Sequence, residues 1–182
     1  MTLPFLLALG LVVLLLPTAY AGLIGAPYAP TFSQTIQQAF TWIKLGKGDL
    51  LVDLGAGDGR TLLAAARRGA RALGYELSPI MWLIAWLRAK ALPNTKVRLA
   101  NFYRQQLPND TTVVFVFLMP KIMPRVRQYL ANQRLLQCRA VLVYAFPFPD
   151  LTPQHVIREK GRLPLYSYNY AQLTDAVPHD TN

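Results

Sequence analysis

The segment Leu51-Val52-Asp53-Leu54-Gly55-Ala56-Gly57-Asp58-Gly59-Arg60 admits few backbones. It opens with an apolar run, places a glycine at every second position, and leads into an Ala- and Leu-rich stretch, Arg60 to Arg68, of helical composition. A strand that enters a helix through glycines can turn at positive φ and leaves backbone N–H groups exposed at the helix start. Such a junction is the working corner of a βαβ unit, so it predicts a sheet with parallel strands and crossover helices.

The rest of the chain agrees with that frame. Leu50 to Leu54 is the first strand, Arg71 to Leu77 a second, and Pro79 to Ala91 a helix with Ser78 as cap and proline in its first turn. Val97 to Ala100 reads as a weak third strand and Thr111 to Leu118 as a strong fourth, rich in Val and Phe; helix Lys121 to Leu136 follows. Ala140 to Ala145 is the fifth strand, stopped by Phe146-Pro147-Phe148-Pro149. His155 to Lys160 and Leu165 to Tyr170 then form a hairpin about Gly161-Arg162, giving a doubly wound sheet of about seven strands with an antiparallel end.

Ahead of the sheet, Phe32, Ile36, Phe40 and Ile43 share one face of a helix that Thr31 or Ser33 can cap. Ala26-Pro27-Tyr28-Ala29-Pro30-Thr31 is an extended joint, since each proline disfavours helix in the residue before it. Before the joint the chain is apolar and uncharged, and Lys44 is the first Lys or Arg. As one helix, Leu3 to Ile24 reaches about 33 Å, enough for a hydrocarbon core of about 30 Å. Ala19-Tyr20-Ala21 has the small-x-small form of a signal-peptide cleavage site, but no Lys or Arg precedes the apolar run, which favours a retained transmembrane anchor. With the basic residues all after it, the domain is expected on the cytoplasmic side.

The 182 residues carry 19 Lys and Arg against 9 Asp and Glu, a net charge of +10 that suits an anionic lipid surface or simply a basic cytoplasmic one. No nucleic-acid motif accompanies these charges, so no specific nucleic acid is expected as a partner. Cys138 stands alone, and His155 and His179 are isolated, which leaves no disulfide and no metal set.

The acids around the glycines define the ligand. A dinucleotide fold needs G-x-G-x-x-G with a small third residue, and Arg60 occupies that place. The spacing here is D-x-G-x-G-x-G, typical of S-adenosylmethionine-dependent methyltransferases. A pyrophosphate would be repelled by Asp53 and Asp58, whereas S-adenosyl-L-methionine brings an ammonium, a sulfonium and no phosphate. Asp53 is expected to hold the amino-acid end, with Gly55, Ala56, Gly57 and Asp58 along the ligand. Glu76 and Leu77 close the second strand, where an acid accepts bonds from ribose hydroxyls; the alternative for Glu76 is an ion pair with Arg71 or Arg98.

Taken together, the apolar start, Ala26 to Thr31, Asp53 to Arg60, Gly74-Tyr75-Glu76-Leu77-Ser78-Pro79 and Phe146 to Pro149 resemble the small membrane-anchored lysine methyltransferases of the ATP synthase c-ring protein and the adenine nucleotide translocase. The resemblance implies an α/β, Rossmann-like class I methyltransferase sheet of seven strands, doubly wound, preceded by one transmembrane helix. It implies a lysine of a membrane protein as acceptor. Residues 1–25 would be the anchor, 26–48 the linker and pre-domain helix, 49–174 the methyltransferase domain and 175–182 a frayed tail.

One departure stands out: Asn101-Phe102-Tyr103 replaces the family's acid-aromatic group, so Asn101 is expected at the adenine amino group through its carbonyl, beside Phe102. Phe102, Tyr103, Phe146, Pro147 and Phe148 are the candidate wall of an acceptor site, unless they only close the sheet edge. Asp150 is a candidate proton acceptor or a turn residue, and no general base is assigned. A small or lipid-like acceptor, and a non-catalytic cofactor-binding module, are the competing readings on this fold.

Overall fold

The structure is a computed structural model that describes residues 2–24 and 33–175. Three apolar runs become the central strands because they can be covered on both faces: β1 (Leu50–Leu54), β4 (Val113–Val116) and β5 (Ala140–Tyr144) are buried at every position. β2 (Arg71–Glu76) and β3 (Thr95–Leu99) extend the parallel sheet on one side. β6 (His155–Ile157) and β7 (Leu165–Tyr168) form the expected hairpin, with β7 antiparallel to β5. The order β3-β2-β1-β4-β5-β7-β6 reverses direction between β1 and β4. At such a reversal the crossovers leave in opposite directions and open a crevice at the carboxyl ends of the strands.

Helices cover both faces. On one side α2 (Ser33–Trp42) and α3 (Arg60–Arg67) place Ile36, Phe40, Leu62 and Ala65 against Leu51, Val113 and Leu142. α4 (Pro79–Ala89) packs beside α3 and along β3. On the other side α5 (Met123–Ala131) and α6 (Tyr170–Asp175) bury Val126, Leu130 and Leu173 against Val52, Val114 and Val143. The pre-domain helix thus packs on the domain through the expected Ile36 and Phe40. Phe32 and the proline joint lie outside the described residues, as do residues 176–182 of the expected tail.

Several boundaries differ from the sequence expectation. α5 ends at Ala131 rather than Leu136, because the chain turns there to bury Leu135 and leaves Leu136 93% exposed. A 3-10 turn, Pro120–Ile122, precedes it, since Pro124 belongs in the helix's first turn. β3 begins at Thr95, two residues early, where its backbone pairs with Ala72. Tyr170 does not end a strand but starts α6. Asn169 caps that helix: its Oδ1 accepts from the Ala171 N–H at 3.1 Å and its own N–H donates to Gln172 Oε1 at 2.9 Å, a reciprocal capping box.

The N-terminal segment forms α1 (Leu3–Ile24), whose described side chains from Leu3 to Leu16 are exposed. Its side chains are described only as far as Ala19, and among the described residues no helix is long and apolar enough to cross a membrane. The transmembrane span expected from the sequence is therefore not established by the fold. Toward its C-terminal end α1 meets α4, where the Ser78 hydroxyl donates to Thr18 Oγ1 at 3.2 Å.

One close approach decides how the loop after β1 sits on β2. A Cβ on Gly74 would stand 2.6 Å from Leu62 Cδ1 and 2.7 Å from Ala56 Cβ. Gly74→Ala is expected to destabilise the protein by about 1–3 kcal/mol through overpacking, read as a lower denaturation midpoint with an unchanged m-value.

Candidate functional site

The loop after β1 turns at positive φ at all three glycines, 98° at Gly55, 54° at Gly57 and 80° at Gly59, a geometry that costs other residues strain. The N–H groups of Gly55 and Ala56 both donate to the Tyr75 carbonyl at 2.9 Å, and this folds the loop back over the end of β2. A Cβ on Gly59 would lie 3.1 Å from that of Ala85, so this glycine also lets α3 approach α4.

Glu76 completes the attachment. Its Oε2 accepts from the Gly57 N–H at 2.8 Å, and its Oε1 accepts from Leu77 N–H at 2.8 Å and Ser78 N–H at 2.7 Å. It is buried, and burial pushes its carboxyl above the usual range against the opposing pull of those three amides. The ion-pair alternative does not arise: Arg71 pairs with Asp110 at 2.7 Å, and Arg98 lies beside Tyr75. A carboxylate has about four acceptor positions, so three amides leave room for a further donor.

Asp53, 2% exposed on β1, has Oδ1 without a hydrogen-bond partner. Desolvation, followed by the repulsion of Glu76, holds its carboxyl well above the ordinary range, and a hydrogen bond from Thr61 only partly opposes this. Among the described residues no ion pair reaches Asp53 or Glu76. Two neighbouring buried carboxyls without a counter-charge are a receptor for a cation and for hydrogen-bond donors. They repel phosphate.

Asp58 has a different position from the one its spacing suggested. It is 4% exposed and engaged by two guanidiniums: Arg60 donates from Nε to Oδ1 at 3.0 Å and from NH2 to Oδ2 at 2.8 Å, and Arg88 of α4 donates to Oδ2 and to the Asp58 carbonyl. Its charge is thereby neutralised within the protein, tying the start of α3 to α4. Selection of a cationic ligand falls to Asp53 and Glu76.

Asn101 Oδ1 accepts from the Tyr103 N–H at 3.0 Å and caps the short turn Phe102–Arg104. One lone pair of that oxygen is thus taken, as an aspartate's would be. Phe102 is buried with its ring 4.2 Å from Tyr103 and 5.4 Å from Tyr129, so it supports the turn from beneath. Tyr103 is half-buried under the Arg125 guanidinium, 4.5 Å from its ring centroid.

The Phe-Pro-Phe-Pro segment divides. Phe148 is 1% exposed, packs 5.1 Å from the Tyr168 ring and donates its N–H to the Tyr168 hydroxyl at 3.1 Å; it belongs to the core and not to a wall. Phe146 is half-buried and Pro147 exposed. Asp150 sits in solvent, 3.7 Å from Arg127, an arrangement that suits a turn residue. The turn that aims Phe146 was not legible in the sequence: Ala145 has φ 72°, and the Phe146 N–H donates to the Tyr144 carbonyl at 3.0 Å, a three-residue turn of the strained hand. Sequence reading also missed the end of β4. There Leu118 Cδ2 would lie 3.2 Å from a Cβ on Gly55, and Phe117 meets Tyr144 edge-on at 4.9 Å. The only signal for it was topological, as β4 lies next to β1 at the reversal.

The profile of the ANTKMT methyltransferase domain family matches residues 53–155, from Asp53 through the end of the Phe-Pro-Phe-Pro segment and beyond. The chain belongs to this family. It is 34% identical over 142 residues to the lysine N-methyltransferase of Homo sapiens named for the C-type chain of ATP synthase, covering 73% of this chain and 57% of that protein. It is 31% identical over 138 residues to the adenine nucleotide translocase lysine N-methyltransferase of Mus musculus, covering 73% and 58%. The chain thus spans less than two thirds of the length of these relatives. Among solved structures, an RNA methyltransferase from Salinibacter ruber in complex with S-adenosyl-L-homocysteine matches with a TM-score of 0.70 and 24% identity, over 85% of this chain and 99% of that one. That likeness confirms the seven-stranded, Rossmann-like class I fold.

The raised carboxyls make stability depend on pH in a definite direction. The folded protein holds the Asp53 proton at pH values where the unfolded chain, with a carboxyl near about 4, has lost it. Stability of the unliganded protein is therefore expected to fall as pH rises from about 4 through the raised value. Asp53→Asn should flatten that fall in thermal denaturation; an identical slope in both proteins would remove Asp53 as its source. Ala145→Gly should raise the melting temperature by relieving the positive φ, and Ala145→Val should lower it.

Proposed function

We propose that this protein is an S-adenosylmethionine-dependent methyltransferase that methylates a lysine side chain of a membrane protein. The observation that carries the reading is the pair Asp53 and Glu76, buried without a cation beside a glycine loop. S-adenosyl-L-methionine fits this donor set. Its ammonium end answers the orphaned Asp53 Oδ1, its ribose hydroxyls answer the remaining acceptor position of Glu76, and Gly55, Ala56, Gly57, Leu77, Asn101 and Phe102 would border it. The relatives named for lysine methylation of ATP synthase and of the adenine nucleotide translocase support the acceptor class.

When bound, the cofactor supplies an electrophilic methyl group on a sulfonium, and the chain's own task is to present a neutral amine in line with it. At pH 7 only about one lysine in 2,500 is neutral for a pKa of about 10.4. Phe117, Phe146 and Tyr103 form an apolar mouth at the carboxyl ends of β4 and β5 and beyond β3, where desolvation favours the neutral amine. The amine proton leaves to solvent, since the exposed Asp150 is too well hydrated to serve as a tuned base.

The uncharged α1 extends its exposed Leu3 to Leu16 face away from the domain, and its other end touches α4 at Ser78, two residues from Glu76. This supports a membrane-associated enzyme, single-pass through α1, with the domain on the cytoplasmic side and the site close to the bilayer where such an acceptor is embedded.

Labelled S-adenosylmethionine incubated with the protein and native membranes is expected to leave methyl-lysine in hydrolysed membrane protein. Label in extracted lipid would favour a lipid-like acceptor, and no transfer despite cofactor binding would favour a non-catalytic module. Gly57→Arg and Glu76→Ala should each reduce cofactor affinity by calorimetry at least tenfold; unchanged affinity in both would overturn the site.

A further inference from the structure

α4 follows the site directly, and its outer surface is unusual for a domain helix. Leu83, Trp86 and Leu87 are 45%, 37% and 53% exposed although α1 is present and touching the same helix. With Lys90 they fall at i, i+3, i+4 and i+7, one stripe along the helix. The stripe ends in a cation: Lys90 Nζ lies 3.8 Å from the centroid of the Trp86 ring.

The ground beside the stripe is basic. Between α4 and the unpaired edge of the sheet is an open cleft of about 280 Å³ lined by Trp86, Lys90, Thr95, Lys96, Val97 and Arg98. From Leu77 to Asn109 the chain contains no Asp or Glu, while Arg88, Lys90, Lys96, Arg98 and Arg104 all occur there. Of these, Arg88 is committed to Asp58. Lys90, Lys96, Arg98 and Arg104 are exposed and make no ion pair among the described residues. The hydroxyl of Thr95, in the same cleft, has no hydrogen-bond partner.

We infer that the outer face of α4 and the adjoining edge of β3 form a second membrane contact: Leu83, Trp86 and Leu87 enter the boundary of an anionic bilayer while Lys90, Lys96 and Arg98 meet its phosphate headgroups. The proposal rests on the reading of α1 as a membrane segment. An indole above an apolar stripe suits the bilayer boundary, and lysines whose stems run along that stripe can carry their charge to the headgroups. The two contacts are continuous, since the Ser78 to Thr18 hydrogen bond joins the first turn of α4 to α1. A helix that leaves the bilayer fixes the domain's distance from it. A second contact would fix the tilt, and so the direction in which the crevice between β1 and β4 faces.

The test uses the full chain with Trp42→Phe, which leaves the two α4 tryptophans as reporters, in phosphatidylcholine vesicles with and without phosphatidylglycerol. In the anionic vesicles tryptophan emission should shift to shorter wavelength, be quenched by brominated acyl chains and be protected from aqueous iodide. Lys90→Gln and Lys96→Gln should each shift the docked population by roughly fivefold toward the iodide-accessible form, and Leu83→Ser with Leu87→Ser should abolish the protection. All variants should still float with the vesicles through α1 and bind the cofactor as the parent does. If the protein floats but iodide reaches the tryptophans as in vesicle-free protein, the α4 contact is wrong and the α1 reading stands. Failure to float overturns both. Protection that appears without vesicles overturns the proposal in favour of self-association if it follows protein concentration, or of a soluble phosphate site if it follows inorganic phosphate.

Discussion

The molecule depends on how the loop after β1 is fastened to the end of β2. Gly55 and Ala56 donate to the Tyr75 carbonyl, Gly57 donates to Glu76, and Gly74 leaves the space that Ala56 and Leu62 fill. These contacts join the first two strands, the start of α3 and the proposed cofactor site into one unit. The fastening is made by a carboxylate in a place where water is largely excluded. A charge-assisted hydrogen bond is strong there, and the same exclusion makes a second carboxyl, Asp53, costly to ionise. The site therefore contains an unfavourable feature that a cationic ligand would relieve, and the surrounding sheet holds it in place.

The acids divide the work. Asp58 is held by Arg60 and Arg88 and acts as a structural tie between helices. Glu76 shapes the loop through three amides, and Asp53 keeps an oxygen without a partner. Sequence spacing placed all three at the loop but could not distinguish them, because the distinction comes from α4. Arg88 lies 30 residues from Asp58 along the chain, and only the packing of α4 beside α3 brings the two together.

On the acceptor side, the end of β5 shows how a local strain positions a side chain. The positive φ of Ala145 turns the chain as it leaves the sheet, so that Phe146 lies at the rim and Phe148 is buried against Tyr168. The two aromatics look equivalent in sequence. Nothing local marks Ala145 as a left-handed residue, since glycine or asparagine is the usual sign of one. The Asn169-x-x-Gln172 box that starts α6 was legible by the ordinary rules of capping; the tyrosines around it had read as a strand.

What the sequence by itself determined is the alternation of strands and helices, the glycine turn, and the two acids at the ends of β1 and β2. These follow from hydrophobic period, turn chemistry and spacing, all of which act within about 25 residues. Tertiary structure alone decided which acid keeps a free oxygen, which phenylalanine reaches the rim, and that Leu118 lies against Gly55. It also decided that α4 turns Leu83, Trp86 and Leu87 outward beside basic residues. Each of these depends on which elements become neighbours across the reversal of the sheet, and burial and ion pairing between distant segments have no local signal in the chain.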